Sequence, residues 1–563
     1  MNTAGTVNIA AALVEMAANQ PEALAIACPR YRGDRPETYH RWSYRELNER
    51  SDVIARGFVH YGISRGTRTA LMVRPSLELF ALTFALFKVG AIPVLIDPGI
   101  GVRNLGVCLA ESEPEAFLGI PRAQLARVIL GWGRATIRKV VTVGPRFFWG
   151  GTTLSRIVES PSSLDKWTME PTEAEEVAAI LFTSGSTGIP KGVVMRHRHF
   201  RAQVEAIRDL YDIQPGEVDF PTFPLFGLFD PALGMTTVIP DMDPTRPARV
   251  DPRRILPAME AFEVTNMFGS PALLDTVGRY GEIHGVSIPS LRRVISAGAP
   301  VSLSVLERFR SMLSEEARIV TPYGATESLP ICSIGSDELL EGDEIRSRTE
   351  SGEGVCVGHP VDGVTLEVVE IRDDPIAREE EIEPLGIGEV GEVLVRSEMT
   401  SDTYFNRPRS TELAKVATAS GRPAHRMGDL GFIDEQGRLW FCGRKSQRVM
   451  TEGGVLFTVP CELVFQNHPS VYRSALVGVV RGEQQIPVIC VELEPGSRVT
   501  RSVLEKELRE LALSRPHTRA IETFLVHPAF PVDIRHNAKI RRGELSRWAQ
   551  ARLVGRKKRV TVA

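Results

Sequence analysis

A short apolar run followed by a loop of glycine and hydroxyl residues constrains the fold of this chain more than any other feature. Residues 177–182 (VAAILF) have the length and composition of a buried strand. The loop at 183–192 (TSGSTGIPKG) follows it, with three glycines, four hydroxyl residues and Lys191. Glycine lets backbone N–H groups approach an anion closely, and the hydroxyl groups and the lysine add donors and charge. The segment therefore predicts a strand that ends in a phosphate-binding loop.

Two other interpretations of this loop fit the residues less well. A Walker A loop needs Ser or Thr directly after its lysine, whereas Gly192 follows Lys191. A flexible Ser/Gly linker needs neither the preceding strand nor the Pro-Lys-Gly ending. The loop is therefore interpreted as a phosphate site of another class.

Helix-like and strand-like segments alternate along most of the chain. Helices are predicted at 51–61 and 77–89, and strands at 67–73, 91–96, 177–182, 264–268 and 294–296. This alternation predicts an α/β fold with layered, largely parallel sheets. From about residue 443 the pattern changes to two strands and a charged helix, which is typical of a compact α+β domain. We therefore predict a large N-terminal domain at 1–442 and a small C-terminal domain at 443–563.

Composition excludes several classes of protein. The 563 residues carry a formal net charge of -3, which argues against nucleic acid as the main partner. The most apolar stretch, 77–96, contains Glu78 and Lys88 and predicts a buried helix and strand, so no transmembrane segment is expected. The seven cysteines are dispersed without a CxxC pair, which favours reduced thiols and a cytoplasmic protein.

The loop at 183–192 resembles the signature loop of the adenylate-forming superfamily, which includes acyl-CoA synthetases, peptide-synthetase adenylation domains and luciferases. Further segments resemble other motifs of that superfamily, in the same order along the chain. These segments are 88–91 with 97–98, 296–300, 323–327 (YGATE), 426–429 (RMGD), 443–444, 460–462 and 537–541 (NAKIR). A single motif would be weak evidence, whereas an ordered set across nearly the whole chain indicates an acid-activating enzyme with ATP and Mg²⁺ as cofactors.

The resemblance also implies a role for individual residues. Glu327 would hold Mg²⁺, Thr326 would donate to the α-phosphate, and Lys539 would bridge the attacking carboxylate and the α-phosphate. Asp429 would accept from both ribose hydroxyls, and Arg444 would add a further contact to the ribose or to a phosphate. The remaining cofactor-binding residues would hold the phosphates (Thr183, Ser184, Gly185, Ser186, Thr187, Gly188, Lys191) and the adenine (Gly298, Ala299, Pro300, Tyr323, Gly324).

Each of these residue types suits the chemistry of adenylation. A carboxylate attacks the α-phosphorus in line and expels diphosphate, so two anions must meet and neutralisation of charge dominates the barrier. Taken singly, Asp429 could shape a turn, Tyr323 could be a packed aromatic, and Lys539 could be a solvated lysine in a basic stretch. The ordered set of motifs favours the catalytic roles. The C-terminal domain would act as a mobile lid that brings Lys539 to the ATP and acyl site of the large domain.

Several strings depart from the usual acyl-CoA synthetase pattern. Gly227 occupies the position at which acyl-CoA synthetases commonly have histidine. Ser446 occupies the position at which their hinge usually has Asp or Lys. The departing strings resemble the olefin β-lactone synthetases of bacterial long-chain hydrocarbon biosynthesis. They are PTFPLFGLFDPALG (221–234), IPDMDPTRPA (239–248), HRMGDLGF (425–432), LWFCGRKSQRV (439–449) and HPAFPVDIRHNAKI (527–540).

That second resemblance implies a specific reaction. A 2-alkyl-3-hydroxyalkanoic acid would be adenylated, and its own 3-hydroxyl group would expel AMP to give a β-lactone. It also implies partners in the same pathway: a thiolase-like condensing enzyme, a ketoreductase and a β-lactone decarboxylase. Phe223, Phe226 and Phe229 either shape the acyl pocket or pack in the core, and the general base stays open, with Asp230 and His199 as candidates.

Two alternatives to a β-lactone synthetase remain at this point. A long-chain acyl-CoA ligase shares the first half-reaction and most of the motifs, and CoA-dependent release of AMP would distinguish it. A non-catalytic scaffold that binds nucleotide or acyl chains would need no catalytic lysine, and the presence of Lys191, Glu327, Asp429 and Lys539 argues against it.

Overall fold

The computed structural model describes residues 7–32, 35–159, 168–183, 188–482, 484–532 and 540–560. Within these ranges one sheet has seven strands, which are parallel except for the last. In spatial order the strands are Thr152–Thr153, Lys139–Thr142, Ala116–Gly119, Arg68–Met72, Ile92–Leu95, Val177–Phe182 and Gly192–Arg196. The predicted strand at 177–182 is confirmed, and it ends where the glycine- and hydroxyl-rich loop begins.

A second, fourteen-stranded sheet forms the rest of the large domain. Its path is Thr365–Val369, Gly391–Arg396, Ala424–Ile433, Leu439–Arg444, Val355–Pro360, Ser328–Gly335, Arg318–Ala325, Arg293–Ile295, Asn266–Phe268, Val218–Pro221, Thr236–Val238, Leu24–Arg32 and Arg35–Ser43, with Lys415–Val416 beside Ala424–Ile433. The strands from Arg318–Ala325 to Leu24–Arg32 are parallel. Beyond them the pairing is antiparallel, so the prediction of largely parallel sheets holds only for part of this sheet. Antiparallel strands need no crossover helix, and the α/β alternation used for the prediction is absent there.

Helices cover the faces of the sheets and contribute to the C-terminal domain. The α-helices are Ala11–Asn19, Tyr44–Tyr61, Leu77–Lys88, Val102–Ser112, Pro121–Leu130, Leu154–Glu159, His197–Tyr211, Asp230–Leu233, Pro252–Ala261, Pro271–His284, Leu303–Arg310, Ser336–Glu341, Asp343–Glu350, Pro408–Ala414, Thr458–Gln466, Arg501–Leu513 and Arg542–Val560. Short 3₁₀ turns are Pro98–Ile100, Phe226–Phe229, Pro247–Arg249, Glu379–Glu381 and Lys445–Gln447.

Local sequence explains where two of these helices begin and end. The helix Tyr44–Tyr61 starts earlier than predicted because Ser43 and Glu46 form a reciprocal capping box. The helix Leu77–Lys88 is buried along its whole length, and it ends in Lys88. The ammonium group of Lys88 bonds to Asn48, Ser51 and the carboxylate of Asp52, the last at 2.6 Å. This pairing offsets the cost of burying the charge, so the lysine of the first predicted motif joins two helices.

The C-terminal residues form a smaller α+β unit. A hairpin (Val449–Thr451 and Gly454–Leu456) precedes a three-stranded sheet of Val471–Arg481, Gln484–Leu493 and Thr523–Val526. The strand Leu439–Arg444 of the large sheet runs across the predicted boundary at 442/443, which stays a prediction. Gly443 in this strand has φ +123°, and a Cβ there would lie 2.3 Å from the hydroxyl oxygen of Thr458. Only glycine fits this junction.

Two expectations about the whole chain meet direct observations. All seven cysteines are free thiols, as the dispersed spacing predicted. No helix among the described residues is long and apolar enough to cross a membrane.

Candidate active site

The phosphate loop is closed by Thr183 and Lys191. The amide of Thr183 donates to the carbonyl of Lys191 at 3.0 Å, and the amide of Lys191 donates to the Thr183 hydroxyl at 3.1 Å. This pair continues the antiparallel pairing of Val177–Phe182 with Gly192–Arg196. Gly188 is exposed on the loop. The predicted contacts of Ser184, Gly185, Ser186 and Thr187 lie outside the described residues.

Glu327 lies at the turn between two strands of the large sheet. Strands Arg318–Ala325 and Ser328–Gly335 pair in an antiparallel hairpin, and Thr326 and Glu327 form its turn. The backbone at Gly324 is so close to its neighbours that a Cβ would lie 2.7 Å from the carbonyl of Ser328. The hairpin therefore turns tightly and presents a hydroxyl and a carboxylate side by side.

A short segment connects this carboxylate with the phosphate loop; we call residues 401–405 the 401–405 strap. The Tyr404 hydroxyl donates to Oε1 of Glu327 at 2.6 Å, and the amide of Ser401 donates to the Glu327 carbonyl at 2.8 Å. On the other side, Tyr404 pairs with Val193, and the amide of Phe405 donates to the carbonyl of Gly192 at 2.8 Å. The strap thus joins the seven-stranded and fourteen-stranded sheets at the predicted phosphate and metal positions.

Lys191 lies close enough to this assembly to sense its charges. Its ammonium nitrogen is 4.8 Å from the centroid of the Tyr404 ring, within cation–π range. Burial lowers the pKa of Lys191, and the negative charge of Glu327 opposes that shift. Lys191, Tyr404 and Glu327 therefore form one cluster, which brings together the cation predicted to bind the phosphates and the carboxylate predicted to hold Mg²⁺.

The predicted ribose-binding residues form a second cluster. The Tyr323 hydroxyl donates to Oδ2 of Asp429 at 2.7 Å, and Nε of Arg444 lies 3.0 Å from Oδ1 of the same carboxylate. Asp429 and Arg444 are direct partners across strands Ala424–Ile433 and Leu439–Arg444. The negative charge of Asp429 raises the pKa of Arg444. The pKa of Tyr323 is also raised, mainly by burial and secondly by the charge of Asp429. The carboxylate is therefore buried and held in place by Tyr323 and Arg444.

The predicted adenine loop follows the strand Arg293–Ile295. Gly298 has φ +96°, a conformation that favours glycine, and Ala299 and Pro300 follow it. Ser296 is buried at the start of this loop, and its hydroxyl has no hydrogen-bond partner among the described residues. A buried polar atom of this kind is costly unless something satisfies it. A polar edge of a bound base would do so.

Lys539 lies outside the described residues, and so does most of the segment around it. The flanking residues are anchored within the C-terminal unit: Val532 pairs with Ile540, and the amide of Arg541 donates to the Pro531 carbonyl at 2.7 Å. Arg542 donates to both carboxylate oxygens of Glu462, the glutamate of the predicted 460–462 motif, at 2.6 Å. These contacts fix both ends of the segment that carries the lysine.

The aromatic residues predicted for the acyl pocket contact other aromatic rings. Phe226 lies 5.4 Å from Phe223 and 4.3 Å from Phe268, and Phe229 lies 5.9 Å from Phe200, between centroids. Phe223, Phe226 and Phe229 remain partly exposed, as residues that line a pocket would be.

Gly227 does not open additional space beside these rings. A Cβ at this position would lie 3.0 Å from both Pro221 and Thr237 and 3.2 Å from Phe80. Neighbouring side chains therefore fill the space that the histidine common at this position in acyl-CoA synthetases would need.

Neither candidate for the general base is a ready proton acceptor. Burial raises the pKa of Asp230 well above its ordinary value, which favours the protonated carboxyl group, and the carboxyl accepts a bond from Thr237 at 2.6 Å. His199 is buried, and its Nδ1 accepts the Arg196 amide proton at 3.0 Å, which occupies the acceptor nitrogen of the neutral ring.

The residues present fit Mg²⁺ and ATP. The described residues contain no group of three or more His, Cys, Asp or Glu side chains that could hold a metal ion by themselves. Mg²⁺ in nucleotide sites is bound by one or two carboxylates together with phosphate oxygens and water, which a single Glu327 suits. Lys191 supplies positive charge beside it, and Asp429 supplies the paired acceptors that ribose hydroxyls need.

Comparison with known proteins decides the family. Residues 13–405 match the family model described as AMP-binding enzyme. The chain belongs to the AMP-binding enzyme family. It is accordingly an AMP-forming, ligase-type enzyme that uses ATP and Mg²⁺, which confirms the predicted cofactors and excludes the scaffold alternative.

Two relatives match this AMP-binding enzyme over almost their whole length. It is 50% identical over 549 residues to an olefin beta-lactone synthetase of Xanthomonas campestris, covering 96% of this chain and 97% of the relative. It is also 50% identical over 553 residues to an olefin beta-lactone synthetase of Stenotrophomonas maltophilia, covering 97% and 98%. The resemblance to these synthetases that the strings predicted is confirmed.

Solved structures confirm the fold. The amide bond synthetase McbA of Marinactinospora thermotolerans superimposes with a TM-score of 0.78 at 22% identity, covering 96% of this chain and 98% of the other. ATP-bound MatB of Rhodopseudomonas palustris gives a TM-score of 0.77 at 21% identity, covering 97% and 99%. The large α/β domain and small α+β unit of this AMP-binding enzyme are therefore the architecture of adenylate-forming enzymes.

Sequence reasoning missed the 401–405 strap. Nothing in the sequence around Tyr404 indicates its partner. Its hydroxyl group bonds to Glu327 only because the two sheets meet at the strap. A signal was present in the cluster TYFNRP at 403–408, where two aromatics precede a helix that begins with Pro408. Aromatic residues that flank a turn rather than a strand are candidates for a packing or site role, but the partner cannot be named from the sequence.

Proposed function

We propose that this AMP-binding enzyme is a β-lactone synthetase of bacterial long-chain olefin biosynthesis. Its substrate is a long-chain 2-alkyl-3-hydroxyalkanoic acid, and its products are a β-lactone, AMP and diphosphate. The observation that carries the proposal is the 50% identity to two olefin beta-lactone synthetases, along nearly the full length of both chains. The departures from the acyl-CoA synthetase pattern, such as Gly227 packed against Phe80, are in keeping with it.

In the first half-reaction the substrate carboxylate attacks the α-phosphorus of ATP, and diphosphate leaves. Lys191 and the loop from Thr183 to Gly188 bind the β- and γ-phosphates, Glu327 holds Mg²⁺, and Thr326 donates to the α-phosphate. Bound Mg²⁺ neutralises phosphate charge and so eases the approach of the carboxylate. Lys539 bridges the two anions as they meet.

The nucleoside is held by residues that are already oriented. Asp429 accepts from the ribose hydroxyls, Arg444 pairs with that carboxylate, and Tyr323 lies against the adenine. Gly324 and the loop at 298–300 complete the adenine site. Because these groups need little rearrangement, the binding energy of the nucleoside is available for aligning the α-phosphate.

In the second half-reaction the 3-hydroxyl oxygen of the substrate attacks the acyl carbon, and AMP leaves. One C–O bond forms, the acyl–phosphate bond breaks, and the hydroxyl proton leaves with solvent or a base. The nucleophile is tethered to the acyl group, so no second substrate has to bind. The aromatic residues Phe223, Phe226 and Phe229 fold the alkyl chains and exclude water that would hydrolyse the adenylate.

The decisive experiment omits CoA. Purified protein is incubated with ATP, Mg²⁺ and a synthetic 2-alkyl-3-hydroxy acid, and products are analysed by mass spectrometry. We expect β-lactone and AMP in equal amounts. The matched control substrate lacks the 3-hydroxyl group and should be adenylated without forming lactone. If AMP appeared only after CoA was added, the enzyme would be an acyl-CoA ligase instead.

Lys539 is tested against a neighbouring cation in the same basic stretch. Lys539→Ala should slow release of diphosphate by about 100- to 1000-fold, since it removes charge stabilisation of the transition state, while ATP binding persists. Arg541, which pairs with Glu544 on the surface, is the control, and Arg541→Ala should leave the rate nearly unchanged. Unchanged adenylation in Lys539→Ala would remove this lysine from the mechanism.

The surroundings of the reaction complete the proposal. The 2-alkyl-3-hydroxy acid would come from a thiolase-like condensing enzyme and a ketoreductase, and a β-lactone decarboxylase would consume the product. The protein would work in the cytoplasm, as its dispersed free thiols predict.

A further inference from the structure

A buried lysine contacts the segment that holds Glu327. Lys415 is 8% exposed, in the two-residue strand Lys415–Val416 at the side of the large sheet. Its ammonium group donates to the carbonyl of Ser401 and, at 3.2 Å, to the Ser401 hydroxyl. Both bonds go to the first residue of the 401–405 strap. An ammonium ion is costly to bury, so a site of this kind needs a reason.

Ser401 transmits this contact directly to Glu327. It is fully buried, and its amide donates to the Glu327 carbonyl at 2.8 Å. Three residues later, the Tyr404 hydroxyl donates to the Glu327 carboxylate at 2.6 Å. The strap therefore holds Glu327 at both its backbone and its side chain, and Lys415 holds the strap.

The next strap residue is fixed from the opposite direction. The carboxylate of Asp402 accepts from Nε of Arg196 at 2.5 Å and from Arg198 at 2.6 Å. Arg196 ends the strand that leaves the phosphate loop, and Arg198 lies in the helix after it. Lys415 and these arginines thus clamp neighbouring residues of the strap between the two sheets.

Lys415 has a neighbour that also carries a basic group. His425 is its direct partner across the strand pair, and the His425 ring bonds to the carbonyl of Ala414 at 3.1 Å. Burial lowers the pKa of His425 well below its ordinary value, so the ring is neutral at pH 7. Burial lowers the pKa of Lys415, and the negative charges of Glu327 and Asp402 oppose that shift.

From these contacts we propose that Lys415 is a positioning residue for Mg²⁺ binding, acting through Ser401 and the 401–405 strap on Glu327. It touches neither nucleotide nor acid. The inference rests on the proposed metal role of Glu327 and is independent of the β-lactone outcome, because it concerns only the adenylation half-reaction.

The test compares nucleotide binding with and without metal. Calorimetric titration of Lys415→Met with a non-hydrolysable ATP analogue should give an unchanged dissociation constant in EDTA, and one about tenfold weaker than wild type in Mg²⁺, equivalent to about 1.4 kcal/mol. In diphosphate-release assays the Mg²⁺ concentration at half-maximal rate should rise by a similar factor, whereas the KM for the acid should stay the same. A merely structural role would not separate the two nucleotide titrations.

Lys88→Met is the matched control, because Lys88 is also buried but bonds to Asp52, which is not part of the strap. It should lower the thermal midpoint and leave Mg²⁺ dependence unchanged. If Lys415→Met did not fold, Ser401→Ala, which removes one of the two bonds, should shift Mg²⁺ dependence about two- to threefold.

A double variant tests the path of the effect. Tyr404→Phe should also weaken Mg²⁺ binding, and the double variant Lys415→Met/Tyr404→Phe should lose less than the product of the two single effects, since both act on Glu327. Equal EDTA and Mg²⁺ behaviour in Lys415→Met and wild type would overturn the inference. If Glu327→Gln itself left Mg²⁺ dependence intact, the metal assignment would fail instead.

Discussion

The ribose side and the phosphate side of the site are built differently. Tyr323, Asp429 and Arg444 all belong to strands of the fourteen-stranded sheet, and both Tyr323 and Arg444 contact the Asp429 carboxylate. On the phosphate side, Lys191 and Glu327 come from different sheets and are joined by the 401–405 strap. One half of the site is therefore fixed by a single sheet, whereas the other depends on how two sheets are held together.

The largest effect is expected on the ribose side. Asp429→Asn removes the charge that pairs with Arg444 and one of the two acceptors for the ribose hydroxyls. Since hydrogen bonds to charged groups contribute about 1.5–3 kcal/mol each, kcat/KM for ATP should fall about 100- to 1000-fold. Diphosphate release at varied ATP measures this.

The Mg²⁺ dependence of Asp429→Asn should stay at the wild-type value, because Asp429 bonds to Tyr323 and Arg444, whereas Tyr404 of the strap bonds to Glu327. A shift in the Mg²⁺ concentration at half-maximal rate would show that the two sides are coupled, and the division of the site into two independent halves would be wrong.

A pair of matched tyrosine variants sharpens the contrast. Tyr323→Phe and Tyr404→Phe each remove one hydroxyl that donates to a site carboxylate, at 2.7 and 2.6 Å. We expect each to cost about tenfold, the loss of one charge-assisted bond. Tyr323→Phe should raise the KM for ATP, and Tyr404→Phe should raise the Mg²⁺ requirement.

The same assay of diphosphate release, run as two titrations, separates these variants. If both variants changed the same parameter, the site would act as one unit rather than as two halves.

The smallest effect is a pH dependence confined to the phosphate side. Burial lowers the pKa of Lys415 from 10.5 to about 7. Between these pH values the unfolded chain binds a proton at this lysine that the folded chain does not, so the free energy of unfolding rises with pH. Below pH 7 the folded chain holds a buried charge, and the full cost of burying that charge lowers its stability. The thermal midpoint of Lys415→Met should therefore be higher than that of wild type at pH 6, and this difference should be smaller at pH 9.

Thermal scans at several pH values measure this difference, with Arg444→Met as the ribose-side control. Charge of Asp429 raises the pKa of Arg444, so that residue stays protonated throughout and its variant should show a pH-independent difference. If the difference in thermal midpoint between Lys415→Met and wild type did not change with pH, the lowered pKa of Lys415 would be contradicted.

Sequence reasoning recovered the parts of this fold that local pattern determines. The strand at 177–182 and the helix from Leu77 are found as predicted, because periodicity and length distinguish them. The motif residues Lys191, Glu327, Asp429 and Arg444 fall into two clusters, although the resemblance and not the spacing assigned them. The placement of Ser184–Thr187 and Lys539 stays a prediction.

The contacts that the sequence could not predict are those between distant segments. Tyr404 meets Glu327 across 77 positions, and Ser401 meets Lys415 across 14. Neither Ser401 nor Lys415 belongs to a recognisable motif, and a lysine in a charged surface segment would look the same. Burial of such a group is a property of the assembled sheets, so no local pattern reports it.

The glycine at the junction of the two domains limits how this enzyme can be recombined with its relatives. Because any side chain at position 443 would strike the hydroxyl of Thr458, these two positions must be inherited as a unit. A chimaera whose crossover falls before 443 or after 458 keeps the pair intact. A crossover inside that interval would place a foreign residue 458 beside this Gly443 and so change the packing where the strand meets the helix.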